Sequence, residues 1–177
     1  MRVFTLCLGL AFVLASVPAR ADWKKVGTTN KNDWLMAFSP LSDKEFFVGG
    51  LSMDTSSGMP KMAAVLYWTQ DDGKLFKPAV GGLATAAGFG ASVSALAFID
   101  SKQGWAVAGS AIWRTVNTGG QWKPSKVTGT PTLLHRFDAT TGAALGEAGA
   151  AWRTTDGGAA WTEVAAGTTA DLSSQQW

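Results

Sequence analysis

A chain of 177 residues with 21 glycines, nine tryptophans and a formal charge of +2 has room for one domain with a real core. It carries no net field strong enough to attract nucleic acid or anionic lipid. Cys7 is the single cysteine and His135 the single histidine, which excludes a disulfide framework and the familiar Cys/His zinc clusters.

In chain order, residues 1–21 read as a secretory signal peptide. Arg2 forms a minimal positive start, residues 3–17 are almost unbroken apolar, and Ala19-Arg20-Ala21 is a small-x-small cleavage site. The apolar run is short for a membrane span of about 20 residues, so cleavage is expected in place of anchoring. Losing Arg2, Arg20 and Cys7 would leave thirteen basic and thirteen acidic residues and no thiol. The mature chain is thus expected to be secreted or periplasmic, with no membrane span and no nucleic-acid partner.

After residue 21 no apolar stripe of 3.6-residue period reaches helical length, and apolar runs end at Gly, Asn, Asp or Pro. An all-β chain is expected over 22–166, followed by a polar tail at 167–177. Trp23-Lys24-Lys25-Val26 matches the segments that begin at Trp122 and Trp161, so 22–27 reads as a lone outer strand. Strands at 34–39, 45–51, 63–69 and 75–80 then form a first set of four antiparallel strands. Strands at 92–99, 104–109, 111–116 and 121–127 form a second, and 133–138, 143–148, 151–155 and 160–165 a third. The Gly/Ala-rich segment 81–91 reads as a flexible connector without a phosphate-loop pattern.

The last turn of each set repeats. Thr69, Asp71, Gly73 and Phe76 recur as Thr115, Asn117, Gly119 and Trp122, and again as Thr154, Asp156, Gly158 and Trp161. The threonines are separated by 46 and then 39 residues. Each copy is a tight hairpin by its chemistry: the Asp or Asn bonds backbone ahead of it and glycine supplies positive φ. A period of roughly 40–50 residues in β-rich sequence marks propeller blades. The blades are expected at about 33–80, 92–127 and 131–166. Closed propellers hold about four to eight blades, so the chain is expected to form a partial or open propeller and to self-associate.

These hairpins resemble the Asp-box (BNR) repeat, found on the turn between the outer two strands of a propeller blade. Asn117 stands where the repeat usually carries aspartate, and Phe76 where it carries tryptophan. The run Gly104-Trp105-Ala106-Val107-Ala108-Gly109-Ser110-Ala111-Ile112-Trp113-Arg114-Thr115, continuing into Gly119-Gly120-Gln121-Trp122, resembles the Ycf48/HCF136-like photosystem II assembly factors. That resemblance covers roughly residues 63–166. It implies a secreted or lumenal seven-bladed propeller that binds protein, with no catalytic residues and no cofactor. In that family an arginine-bearing surface holds a partner, and by position Arg114 and Arg153 are the nearest equivalents. Trp68 fills their slot in the first copy.

Other site chemistries are weighed on the same residues. Asp71, Asn117 and Asp156 read as turn caps, not calcium ligands or catalytic groups, because they recur on separate blades. Arg114, Arg136 and Arg153 invite a sialidase reading, but Arg114 and Arg153 are repeat equivalents. The only tyrosine, Tyr67, also sits in a repeated aromatic slot, against its use as a nucleophile. His135 reads as an ordinary strand or loop residue. Trp113, Trp122, Trp152 and Trp161, with Trp34 and Trp105, are expected between blades; Trp68 and Trp177 are expected to be exposed and available to a sugar or protein. The function expected is a non-enzymatic protein-binding or assembly module. The alternatives are a glycan-binding or sialidase-like module, or a truncated remnant of a larger propeller.

Overall fold

A computed structural model describes residues 27–125 and 127–164. The leader, all but the last residue of the strand expected at 22–27, Trp177 and the tail lie outside them. Three antiparallel sheets of four strands follow one another along the chain. The first runs β1 (Asp33–Pro40), β2 (Phe46–Asp54), β3 (Lys61–Thr69) and β4 (Lys77–Pro78), neighbouring in that order. The second is β5 (Val93–Phe98), β6 (Gly104–Ala108), β7 (Ala111–Thr115) and β8 (Lys123–Ser125). The third is β9 (Pro131–Arg136), β10 (Gly142–Gly146), β11 (Ala151–Thr154) and β12 (Thr162–Val164). The first strands of the sheets, β1, β5 and β9, touch in succession, so the sheets stack face to face like consecutive blades. The chain is all-β and forms a partial propeller.

Period-2 alternation decides what each sheet buries. On β2, Phe47 is fully buried and stacks on Phe98 of the second sheet at 3.5 Å. Gly49 lies so close to Val93 and Leu96 that a Cβ would overlap the valine side chain, and glycine permits the approach. Leu66, Val93 and Trp113 complete this first core. A second core lies between sheets two and three, where Trp105, Val107, Ile112 and Ala144 are fully buried and Trp152 almost so.

Several expectations need correction. The outer strands expected at 75–80 and 121–127 shrink to Lys77–Pro78 and Lys123–Ser125. Each contains a proline, which removes a ladder donor and suits only an edge. The strand expected at 143–148 ends at Gly146, where a 3-10 turn (Glu147–Gly149) begins with Ala148 at φ 55°. The connector 81–91 is anchored: it holds a one-turn helix, α1 (Leu83–Ala86), whose Leu83 is fully buried in the first core. Trp34 is 65% exposed and does not pack between sheets. A register break between Leu35 and Ala37 resets the alternation of β1, so Ala37 and Ser39 are the buried residues.

Candidate functional site

The repeated hairpins are built alike from side chain to backbone. In each, the threonine is buried and its hydroxyl donates to the acid or amide two residues on: Thr69 to Asp71 at 2.8 Å, Thr115 to Asn117 at 3.0 Å, Thr154 to Asp156 at 2.8 Å. The same hydroxyl accepts the N–H of the box glycine, Gly73, Gly119 or Gly158, at 3.1, 3.0 and 2.9 Å. The Asp or Asn oxygen in turn accepts the N–H four residues ahead, from Leu75, Gln121 or Ala160. Asn117 offers the same acceptor oxygen as an aspartate, so the substitution leaves the turn intact. These bonds hold two carboxyls below their ordinary range: the Leu75 N–H first and then the Thr69 hydroxyl for Asp71, the Ala160 N–H first and then the Thr154 hydroxyl for Asp156.

A second repeated device escapes sequence reading. Lys44, Lys102 and Thr140, in the turn after the first strand of each sheet, accept N–H bonds from Asp72, Thr118 and Gly157 in the box turn. Those three donors all sit at positive φ. Ser42, Asp100 and Asp138 brace the accepting turns by taking backbone N–H groups two and three residues ahead. The signal is faint in sequence because the partners are backbone and the bracing residue changes type. Side chains then tie the second and third hairpins to the sheet before each: Trp122 Nε1 donates to the Ala79 carbonyl at 3.1 Å, and Trp105 Nε1 to that of Gly157 at 2.8 Å.

On this frame two surface pockets lie at equivalent places. One, of about 80 Å3, is lined by Arg114, Val116, Asn117, Gln121 and Lys123. The other, of about 260 Å3, is lined by Arg153, Thr155, Asp156, Ala160, Thr162 and Val164. The first joins two cations to two neutral amides, which suits a carboxylate. The second has an arginine and the Asp156 carboxylate in its lining. In the first sheet the slot is closed: Trp68 stacks on Phe47 at 6.0 Å, donates through Nε1 to Glu45 at 3.0 Å and lies under Lys77. Trp68 is therefore half-buried, correcting its expected exposure.

The residues of the sialidase reading do not converge. Arg136 lies over the Trp105 ring at 4.2 Å and donates to the carbonyls of Asp138 and Ala139, on the side of the third sheet facing the second. Strand alternation puts Arg153 on the opposite side of that sheet. Tyr67 is on the first sheet, donates to Asp33 at 2.8 Å, and has its pKa pushed up to about 12 by burial and by that carboxylate. His135 packs against Phe137 at 4.8 Å. Among the described residues no three His, Cys, Asp or Glu side chains gather to hold a metal ion, and no helix is long and apolar enough to cross a membrane.

No family model and no curated protein matches the sequence. Solved structures do resemble it. One, described as YCF48 bound to D1 peptide, superposes with a TM-score of 0.59 at 19% identity over 75% of this chain. Another, YCF48 from Cyanidioschyzon merolae, gives 0.59 at 17% identity over 80% of it. The fold is that of a Ycf48-like propeller. The chain spans about two-fifths of either neighbour, 41% and 42% of their lengths.

Proposed function

We propose that the chain is a non-enzymatic protein-binding or assembly module of the Asp-box propeller type, working in a secreted or periplasmic setting. The observation that carries this reading is the Arg114 pocket. It sets Arg114 and Lys123 beside Asn117 and Gln121 on a hairpin whose backbone is fixed by Thr115. Such a surface takes a carboxylate-bearing peptide, with the amides completing what the cations begin. A peptide complex of one structural neighbour gives the reading independent support.

Probing parallel arrays of acidic, basic and neutral peptides and of glycans with the purified chain tests it. Acidic peptides should be retained, and Arg114→Glu and Lys123→Glu should remove the signal. Glycan retention that survives both substitutions, with no peptide signal, would favour the sugar-binding alternative instead.

A further inference from the structure

Each internal junction brings a fixed pair of side-chain rows against the next sheet. From the second sheet they pass through Val107–Ile112 and Trp105–Arg114, and both meet the third sheet. The third sheet carries the corresponding rows, through Leu145–Ala151 and Ala143–Arg153, on a face that no described sheet covers. At the other end the first sheet leaves an aromatic face uncovered. Phe38, Val48 and Tyr67 share one cross-strand row there, Phe38 meets Phe46 at 5.4 Å, and Phe76 meets Phe46 at 6.1 Å. Phe38 is 59% exposed on the first face and Phe137, near the second, 64% exposed.

We propose that a second copy of this chain covers the first sheet with the free face of its own third sheet, so that two chains close one ring. This deepens the protein-binding reading, on which it rests, by naming the partner for the Arg153 side. The internal junctions supply the template, because what covers such a face within the chain is another sheet of the same kind.

Charge complementarity selects the same pairing. At the junction of sheets two and three, Arg114 reaches over the box turn of the third sheet, and a Cβ on Gly157 would lie 3.8 Å from its Nη2. The Asp156 carboxyl in that turn is held below its ordinary range by the Ala160 N–H first and the Thr154 hydroxyl next, and the Arg114 charge adds to this. The counterpart of Arg114 on the free face is Arg153, exposed. The turn it would meet on the second copy carries Asp72 where the third sheet has Gly157, exposed and at φ 60°. An Arg153–Asp72 ion pair between copies therefore replaces the internal Arg114 contact.

Gly27 of the same chain already packs against Gly73, as Gly81 packs against Gly119, and so covers the outer corner of the first sheet. The second copy accordingly meets that face with β9–β11, and its short, exposed β12 stands outside the contact. A two-fold arrangement makes the same contact twice and leaves neither face bare, whereas an unclosed head-to-tail series would grow into filaments.

Size exclusion with light scattering on the purified protein at low micromolar concentration decides. Wild type should elute at twice the chain mass. Arg153→Asp and Asp72→Arg should each weaken the dimer about ten-fold or more, and the double variant should regain it. Phe38→Asp should yield monomer, with near-ultraviolet circular dichroism confirming that each variant is folded. A monomeric wild type, a species that grows past the dimer with concentration, or a dimer indifferent to these substitutions would overturn the proposal. Acidic-peptide retention through Arg114 is read on the same samples. Its loss from a protein that still dimerises would count against the peptide-binding reading alone.

Discussion

The Thr154 hydroxyl shows how much one buried group can organise. It donates to Asp156 and accepts the Gly158 N–H at 2.9 Å, with only 2% of the residue exposed. Replacing Thr154 by valine keeps the volume and strands a buried N–H, which costs about 1–3 kcal/mol. A denaturant melt should register that loss, and an unchanged midpoint would contradict the role assigned to the hydroxyl. Asp156 behaves differently, because its counterpart Asn117 does the same work without a charge. Asp156→Asn should therefore leave stability at neutral pH nearly unchanged, while Asp156→Ala should lose about 0.5–2 kcal/mol, by analogy with helix caps. The folded carboxyl titrates below its ordinary value near 3.8. Its stabilising contribution is thus full above that value and is lost as pH falls through the lower folded pKa. Melting temperatures taken from pH 5 downward should fall less steeply for Asp156→Asn than for wild type.

At the scale of elements, the hairpins were legible because turn chemistry is local. Thr, Asp or Asn, and Gly at fixed offsets determine the bonds that form, and three copies in phase determine the strands around them. The rest depended on contacts distant in sequence. Nothing in Gly81 to Ala91 marks Leu83 as a core residue, since one leucine among glycines and alanines has no periodicity to betray it. The register break in β1 likewise hid that Trp34 turns outward and Ala37 inward. The braces are a serine at Ser42 but aspartates at Asp100 and Asp138, and the carbonyls they position belong to backbone. The burial of Trp68 was not legible because its hydrogen-bond partner, Glu45, sits in the turn before β2, distant in sequence. Leu83→Ala should cost about 2–5 kcal/mol, as expected for a fully buried leucine. Hydrogen exchange should report the loss around the first core, at β3 and β5, more than at the third sheet. Uniform loss across all three sheets would show that α1 is not the local anchor described.

For the whole molecule, three sheets joined through two continuous cores give a rigid base for whatever the hairpins display. The sequence pointed to Arg114 and Arg153 through repetition, but not to the two pockets that repeat with them. Those need Lys123 or Thr162 from the adjacent outer strand, which only the register brings alongside. Binding through the Arg114 pocket is the central claim. Isothermal titration of an array-selected acidic peptide into wild type, Arg114→Glu and Arg153→Glu tests it most directly. Arg114→Glu should abolish the heat of binding, and wild-type affinity should fall as salt rises. Equal affinity in wild type and Arg114→Glu would contradict the claim.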